Sequence, residues 1–261
     1  MTILWHELKQ GWKALSIWTI SIGFFIVLCV LMYPEMKGEM EDVSEMFSSM
    51  GAFTDAFGMD RLNFGTLIGF YGIECGNILG IGGAFYAAIL GITTLAKEEK
   101  ERTAEFLFSH PISRVKIITE KWLAVFLQIV IMNVLVFLMS IAAIAGIGEE
   151  LLWEETVFLH LAYFLVQIVL AGICFGISAF IRSSGIGVGI GLATMMYFIN
   201  IVANITDSAK DLKYITPFGF AEAADIIANV DLDWKMVAIN LVFALVGVVA
   251  AYVKCGKKDI R

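Results

Sequence analysis

Apolar residues along this chain fall into six long runs that contain no Asp, Glu, Lys or Arg. The runs cover approximately residues 14–33, 76–95, 122–147, 157–180, 185–205 and 236–253. An α-helix rises about 1.5 Å per residue, so about 20 residues cross the roughly 30 Å hydrocarbon core of a bilayer. Inside lipid every backbone amide must be satisfied within its own segment, which favours helices over open strands. The pattern therefore predicts an all-α membrane protein with six transmembrane helices.

The composition supports a chain that lies mostly in lipid. Of its 261 residues, 59% are hydrophobic and only 16% are charged, and the mean hydropathy is +0.82. Soluble domains carry roughly 45–50% apolar and about 25% charged residues. Because the apolar runs extend from end to end, residues 1–261 are interpreted as one membrane domain. The first run ends without a small-residue cleavage site, so we expect it to remain as a span.

Basic residues concentrate on one side of the predicted membrane. The N-terminal segment, loop 96–121, the turn at Arg182 and the C-terminal tail carry thirteen of the 18 Lys and Arg residues. The other side carries five, against an acidic excess that includes Glu39, Glu41, Asp42, Glu45, Glu149, Glu150, Glu154 and Glu155. The positive-inside rule then predicts both termini in the cytoplasm. Since the net charge of −7 arises on the outer side, nucleic acid is not an expected partner.

Shorter helices are predicted outside the six spans. In residues 1–13, Trp5, Leu8 and Trp12 recur at helical spacing, as in a helix lying in the membrane interface; the alternative is a simple extension of the first span. Leu67 to Ile73 can continue the second span outward. Pro217 is well placed to begin a helix, which predicts a short outer helix before the last span.

Several polar residues near or within the spans are candidates for lining a substrate path. The candidate substrate path consists of Glu74, Asn77, Asn200 and Asn204. Helix–helix hydrogen bonding is the alternative for the asparagines, and simple solvation is the alternative for Glu74.

Glycines recur four apart at Gly72, Gly76 and Gly80, and again at Gly185/Gly189 and Gly187/Gly191. This spacing favours close helix packing, within the chain or with a second subunit.

Loop 97–114 has an unusual composition for a loop between two spans. Charged residues at Lys97–Glu101 and Glu98–Arg102 form i,i+4 pairs that favour a short helix. Three bulky apolar residues follow in the same polar loop. We expect such a cluster to be buried against other helices of the protein or against a partner. The alternative is a solvated charge run. The residues predicted to carry the loop's function are Thr103, Glu105, Phe106, Leu107, Phe108, Pro111, Ser113 and Arg114.

The run T-x-E-x-L-x-x-x-P-x-S-R, from Thr103 to Arg114, resembles that of the ABC-2 type transporter permeases. One departure is Arg102, where many relatives have a glycine. The Thr-Pro-Phe segment before the last span and the Lys-Lys-Asp-Ile end extend the resemblance over nearly the whole chain. The resemblance implies a cytoplasmic coupling helix that docks on a separate ABC ATPase, and a dimer of permeases with two ATPases. It implies location in a bacterial or archaeal plasma membrane.

No phosphate-binding loop of the form G-x-x-x-x-G-K-[S/T] occurs in the sequence. We therefore expect no cofactor on this chain, and expect ATP and Mg²⁺ to bind the partner ATPase. The path without charges suits a hydrophobic or amphipathic cargo, such as a peptide, drug or lipid. The sequence is compatible with export and with lipid flipping, and with a homodimer and a heterodimer of permeases.

Two other classes of membrane protein, an intramembrane protease and a secondary transporter or channel, fit the sequence less well. CAAX-type membrane proteases pair Glu-Glu with an arginine and use membrane histidines, but Glu98-Glu99 has Arg102 one position too early, and His160 is the one histidine within a predicted span. A secondary transporter or channel usually places ionisable residues at mid-membrane, and the six apolar runs contain no Asp, Glu, Lys or Arg. The four cysteines are dispersed and predict packing rather than disulfides or zinc.

Overall fold

In the computed structural model the chain is a bundle of long helices. It describes residues 2–48, 51, 54, 56, 61–100, 113–181 and 185–256. Within this part no strand occurs. The α-helices are α1 Thr2–Ser48, α2 Leu67–Cys75, α3 Gly83–Lys100, α4 Arg114–Ile147, α5 Trp153–Ser178, α6 Ile186–Ile205, α7 Ala223–Asn229 and α8 Trp234–Gly256.

Six helical segments are long and apolar enough to cross a membrane, as the sequence predicts. They are Thr2–Gly38, Leu67–Glu98, Arg114–Ile147, Trp153–Ser178, Ile186–Ile205 and Trp234–Gly256. The second and third segments begin about two turns earlier than the apolar runs. Thr66 explains the earlier start of the second, because its side chain caps the helix by accepting the N–H of Gly69. Helix boundaries thus follow capping and packing as well as hydropathy.

The predicted N-terminal helix is helical but is not a separate element. Residues 2–13 are the first turns of α1, which continues to Ser48. Trp5 and Trp12 are exposed, while Leu4 and Leu15 are buried. Trp5 and Trp12 of the predicted stripe thus face outward, whereas Leu15, which continues the stripe at the same spacing, packs into the bundle. An interfacial position for the two tryptophans stays a prediction.

The bundle is organised around the second and fourth spans, which are its most buried segments. Helix α5 packs against α3 on one side and α8 on another, and α1 packs along α4. The fifth and sixth spans are the least buried. Large apolar side chains such as Phe198 of α6 and Leu245 of α8 therefore face outward. In a bilayer these surfaces meet lipid or another subunit.

A π-helical turn, Gly76–Gly82, joins α2 to α3 in the second span. It lies against Tyr163 of α5: a Cβ added at Gly76 would stand 2.7 Å from the Tyr163 Oη atom, and one at Gly80 would stand 3.1 Å from the ring. Glycine is therefore required where the tyrosine ring crosses the helix. Gly187 and Gly191 of α6 differ, because a Cβ there would meet nothing within 4 Å among the described residues.

The segment before the last span, which the sequence predicts to lie on the outer side, is helical. Residues Asp207–Tyr214 and Pro217–Ala221 form 3₁₀ helices, and α7 follows. Thr216 holds the second of these in place, because its hydroxyl donates to the Met196 carbonyl at 2.7 Å and accepts the N–H of Phe218. Pro217 stands in the first turn, where its missing N–H costs nothing. Whether this segment dips into the membrane interface stays a prediction.

Contacts group the polar ends of the helices into two opposite sets. The start of α1, residues 94–98, residues 113–121 and the end of α8 contact one another, and we call this the basic end. The residues around Lys37, Arg61, Glu149 and Glu222 lie at the other end, which we call the acidic end. The grouping matches the two sides predicted from loop charge.

Candidate functional site

Most residues of the predicted coupling loop lie outside the described residues: Thr103, Glu105, Phe106, Leu107, Phe108 and Pro111. The predicted pairs Lys97–Glu101 and Glu98–Arg102 also include a partner outside them. The structure describes the two stems of the loop, which are the last turn of α3 and the first turns of α4. These stems connect the loop to the second and third spans.

The C-terminal stem is fixed by Ser113 and Arg114. The Ser113 hydroxyl caps α4 by accepting the N–H of Lys116 at 3.3 Å. The Arg114 guanidinium donates to the carbonyl oxygens of Cys255 and Gly256, at 3.4 and 3.2 Å, at the C-terminus of α8. A cation is stabilised there because the last carbonyls of a helix lack backbone partners and carry partial negative charge. Both predicted residues thus have a positioning contact.

The two stems are joined by a buried ionic cluster that we call the stem clamp: Glu7, Lys97, Glu98 and Lys121. The Lys121 ammonium is 1% exposed and contacts the carboxylates of Glu7 at 2.5 Å and Glu98 at 2.8 Å. Lys97 reaches the other oxygen of Glu7, also at 2.5 Å. Glu98 at the end of α3 is therefore bound to α4, and both are bound to α1. Buried charges of this kind persist only when they are paired.

The start of α1 is held against α4 by a second contact. The Glu120 carboxylate accepts the backbone N–H groups of Ile3 and Leu4, each at 3.1 Å. These N–H groups belong to the first turn of the helix and have no intrahelical partner, so a carboxylate satisfies them and complements the helix dipole. Residues 2–13, which the sequence predicts to lie apart in the interface, are thus attached to the loop stem.

A cavity of about 70 Å³ lies at the acidic end, between the π-helical turn, α5, α6 and the segment 217–224. Three of the four predicted path residues line it: Asn77, Asn200 and Asn204. Glu74 does not. Its half-buried side chain lies between α2 and α1, where the Cys29 thiol contacts its carboxylate at 3.7 Å. The structure thus brings the asparagines together and places Glu74 elsewhere.

Glu222 also lines this cavity, and the sequence predicts no role for it there. Its carboxylate contacts Arg61 at 2.8 Å and Lys213 at 3.0 Å, and accepts the Asn200 amide at 3.4 Å. Burial raises the pKa of Glu222, but Lys213 and Arg61 outweigh that effect, and the net result is a lowered pKa. Arg61 also pairs with Asp225. We call Arg61, Lys213, Glu222 and Asp225 the outer cap.

We expect Glu222→Gln to destabilise the protein by about 1–3 kcal/mol at neutral pH, because two cations lose a charged hydrogen-bond acceptor. A lowered folded-state pKa gives stability that is present above the unfolded value of about 4.3 and is lost as pH falls through the folded value. The difference in thermal unfolding between wild type and variant should therefore be constant from pH 7 to about 5 and shrink below that. Glu154→Gln, at an exposed acidic-end residue, is the control. A difference in unfolding temperature that does not change with pH would contradict an ionised Glu222 in the outer cap.

Within the spans, His160 of α5 has a buried partner. Its Nε2 atom lies 2.6 Å from the Tyr71 hydroxyl, and its ring meets Phe137 edge to face. No group of three or more His, Cys, Asp or Glu residues that could hold a metal ion occurs in the described part of the chain. None of the four cysteines, all within the described residues, forms a disulfide. His160 therefore serves a pairwise contact in the packed interior.

Six helices long and apolar enough to cross a membrane, with polar clusters at the two ends of the bundle, define a polytopic membrane protein. Comparison with protein-family models matches residues 1–260 to the ABC-2 family transporter protein. The chain belongs to this family, as the motif in loop 97–114 predicts. The family consists of membrane subunits of ABC transporters rather than catalytic domains, and it implies partnership with an ABC ATPase. A comparison with curated proteins found no match.

Proposed function

We propose that this chain is the permease subunit of an ATP-driven exporter, coupled through loop 97–114 to a separate ABC ATPase. The family match over residues 1–260 carries the proposal. ATP and Mg²⁺ bind the ATPase, and this chain supplies the path. Its basic end faces the cytoplasm of a bacterial or archaeal cell, and both termini lie on that side. The test is whether the chain, captured from its native membrane, brings an ABC ATPase with it.

The stem clamp supports coupling through the loop. A docked loop can move the membrane helices only if its stems are rigidly attached to them. Lys121 and Glu98 tie the stems to each other, Glu7 ties both to α1, and Arg114 ties the second stem to α8. Displacement of the loop by the ATPase is therefore passed to the four spans that contain α1, α3, α4 and α8, since packed elements transmit strain instead of absorbing it.

The assembly that we propose contains a second permease, as a homodimer or with a paralogous chain, and two ATPases. The outward surface of α6 supports the pairing of permeases. The small residues Gly187 and Gly191 leave its backbone open to close approach. The fifth span is also among the least buried. A neighbouring helix would bury this face.

The cargo is a hydrophobic or amphipathic molecule, such as a peptide, drug or lipid, that leaves the cytoplasm or the inner leaflet. The interior of the bundle supports this, because no Asp, Glu, Lys or Arg side chain lies in its described part between the stem clamp and the outer cap except the half-buried Glu74. The acidic-end cavity, with Asn77, Asn200 and Asn204, lies on the outer part of the path.

The orientation is tested by cysteine labelling in intact cells on a cysteine-free background. Leu152→Cys at the acidic end should react with a membrane-impermeant maleimide, because this exposed residue lies in an outer connection. Lys116→Cys at the basic end is equally exposed and should react only after the cells are opened. Labelling of position 116 in intact cells would overturn the proposed orientation.

A further inference from the structure

We propose that a slot between α1 and α3 at the basic end is the loading site for an amphiphile with one acyl chain and an anionic head group. The slot has a volume of about 260 Å³ and lies between residues 7–18 of α1 and 86–97 of α3, with residues 121–128 of α4 as its floor. The inference rests on the proposed function and names its substrate class. It is carried by the shape of the slot and by the hydrogen-bond donors at one end of it.

The two walls of the slot run antiparallel, so contacts across it identify its ends. At the basic end Lys97 of α3 pairs with Glu7 of α1. At the deep end the ring centroids of Trp18 and Tyr86 lie 5.9 Å apart, and the Tyr86 hydroxyl donates to the Gln128 oxygen at 3.4 Å. The slot is therefore polar at the basic end and lined by aromatic side chains at the deep end.

The length of the slot corresponds to about one leaflet of a bilayer. Trp18 follows Glu7 by eleven positions, and Lys97 follows Tyr86 by eleven, which is about 16 Å of helix. This is about half of the roughly 30 Å hydrocarbon core. Lys97 stands two residues beyond the apolar run 76–95, whereas Tyr86 lies within it. An acyl chain in the slot would thus have its head group at the membrane boundary.

The slot is open on the side between α1 and α3. Helix α1 packs along α4 but makes few contacts with α3. Gln10 and Ala14 are exposed on one wall, and Leu90 and Thr93 are half-buried on the other. Because residue 14 is the first of the apolar run 14–33, the opening reaches the membrane. An amphiphile of the basic-end leaflet can therefore enter sideways.

The basic end of the slot offers hydrogen-bond donors. Lys97 is the most exposed side chain of the stem clamp, at 25%. Two of its three N–H groups reach Glu7 and Gln10, and the third has no partner among the described residues. An ammonium group only donates, so Gln10 turns its oxygen to Lys97 and keeps two amide N–H groups for another acceptor. A phosphate or carboxylate fits these donors, since charged acceptors form the stronger hydrogen bonds.

A cationic head group fits this end less well. Within the described lining Glu7 is the one carboxylate, and both of its oxygen atoms already accept from lysines, Oε1 from Lys121 and Oε2 from Lys97. Glu98, the other carboxylate of the stem clamp, pairs with Lys121 and does not line the slot. The most accessible charge at the basic end is therefore the Lys97 ammonium.

The slot shares residues with the stem clamp. Glu7, Lys97 and Lys121 belong to both. A displacement of the loop stems therefore moves the walls of the slot directly. We expect ATP-driven movement of the stems to release the amphiphile from the slot.

The test uses dodecyl phosphate with a photoreactive diazirine at its chain end, added to the full-length chain in phosphatidylcholine nanodiscs. Mass spectrometry maps the cross-linked residues, which we expect in 14–18 and 86–90. Plain dodecyl phosphate should compete at least about tenfold better than dodecyltrimethylammonium, which has the same chain and the opposite charge. Equal competition would overturn the anionic head group, and labelling spread over the outward faces would overturn the slot.

Gln10→Glu tests the head group at an exposed residue whose contact with Lys97 a carboxylate can keep. The variant removes two N–H donors and adds a negative charge, so dodecyl phosphate should compete at least about tenfold less well. Lys9→Gln changes the charge of α1 by the same amount at an exposed residue outside the slot, and should compete as wild type does. An equal loss in both variants would indicate a general effect of surface charge and overturn the site.

Ala14→Trp tests the chain, because a large side chain at this exposed position of the wall fills the slot. It should abolish labelling of residues 86–90 and ATP-driven transport of dodecyl phosphate by the permease–ATPase complex in vesicles. Ile17→Trp, at a residue that is 65% exposed and outside the slot, is the control and should change neither. Retained labelling in Ala14→Trp would overturn the slot.

Labelling of the slot without ATP-driven transport of dodecyl phosphate would indicate a bound lipid only and overturn the loading role. The proposed function is judged separately. If the ATPase co-purifies and hydrolyses ATP while the slot is not labelled, the loading site fails and the permease assignment stands.

Discussion

Lys121→Met should lower the free energy of unfolding by about 3 kcal/mol and strongly reduce transport. The Lys121 ammonium is 1% exposed and serves the carboxylates of Glu7 and Glu98. Methionine keeps the length of the side chain but leaves buried carboxylate charge without its partner, a change that commonly costs about 3–5 kcal/mol. We take the lower end because Glu7 retains Lys97 and Glu98 is partly exposed. Thermal unfolding of the detergent-solubilised chain measures the loss.

Two comparisons separate the stem clamp from a general effect of removing a lysine. Lys116→Met, one turn earlier on α4, removes an exposed charge and should change stability by less than about 0.5 kcal/mol. Adding Glu98→Gln to Lys121→Met should recover part of the loss, because the uncompensated charge is gone. If Lys121→Met unfolds at the same temperature as Lys116→Met, the clamp does not stabilise the stems.

Phe106→Ala combined with Leu107→Ala should prevent capture of the ATPase or uncouple ATP hydrolysis from transport. Both residues belong to the predicted coupling loop, which lies outside the described residues, so the expectation comes from the sequence motif and the family. Removing a buried anchor at a protein interface commonly costs more than about 2 kcal/mol, which is a loss of at least about thirtyfold in affinity. Co-purification and transport in vesicles measure the two effects.

The matched control replaces two apolar residues at the same end of the bundle but outside the loop. Val115 and Phe180 are both well exposed, and Val115→Ala with Phe180→Ala should leave ATPase binding intact. Membrane insertion should be normal in both double variants, because neither changes the core of a span. Full ATPase binding and full transport by the Phe106/Leu107 variant would indicate that loop 97–114 is a solvated connection and not a coupling element.

The two large effects test different steps of one pathway. The loop variant removes contact with the ATPase, whereas Lys121→Met leaves the predicted contact residues and loosens their attachment to α1, α3 and α4. A permease variant that binds its ATPase but does not transport when ATP is hydrolysed would therefore indicate a defect in the stems. A permease that no longer binds would indicate the loop itself.

The six spans, the grouping of basic and acidic ends and the family motif follow from the sequence by itself. These properties depend on local quantities. The transfer of each residue into lipid depends mainly on its own side chain, so a run of about 20 apolar residues is recognisable without knowing its neighbours. Loop charge is equally local. The loop motif is a continuous stretch from Thr103 to Arg114.

Helix ends and side-chain partners were decided only by the tertiary structure. Glu7 is the one acidic residue before Pro34, but its pairing with Lys121, 114 positions away, depends on α1 packing along α4. In the same way Asn77, Asn200 and Asn204 converge on one cavity while Glu74 turns toward Cys29. Hydropathy fixes which segments enter the membrane, whereas the rotation of each helix about its axis is fixed by packing against its neighbours. That rotation determines which polar side chains meet.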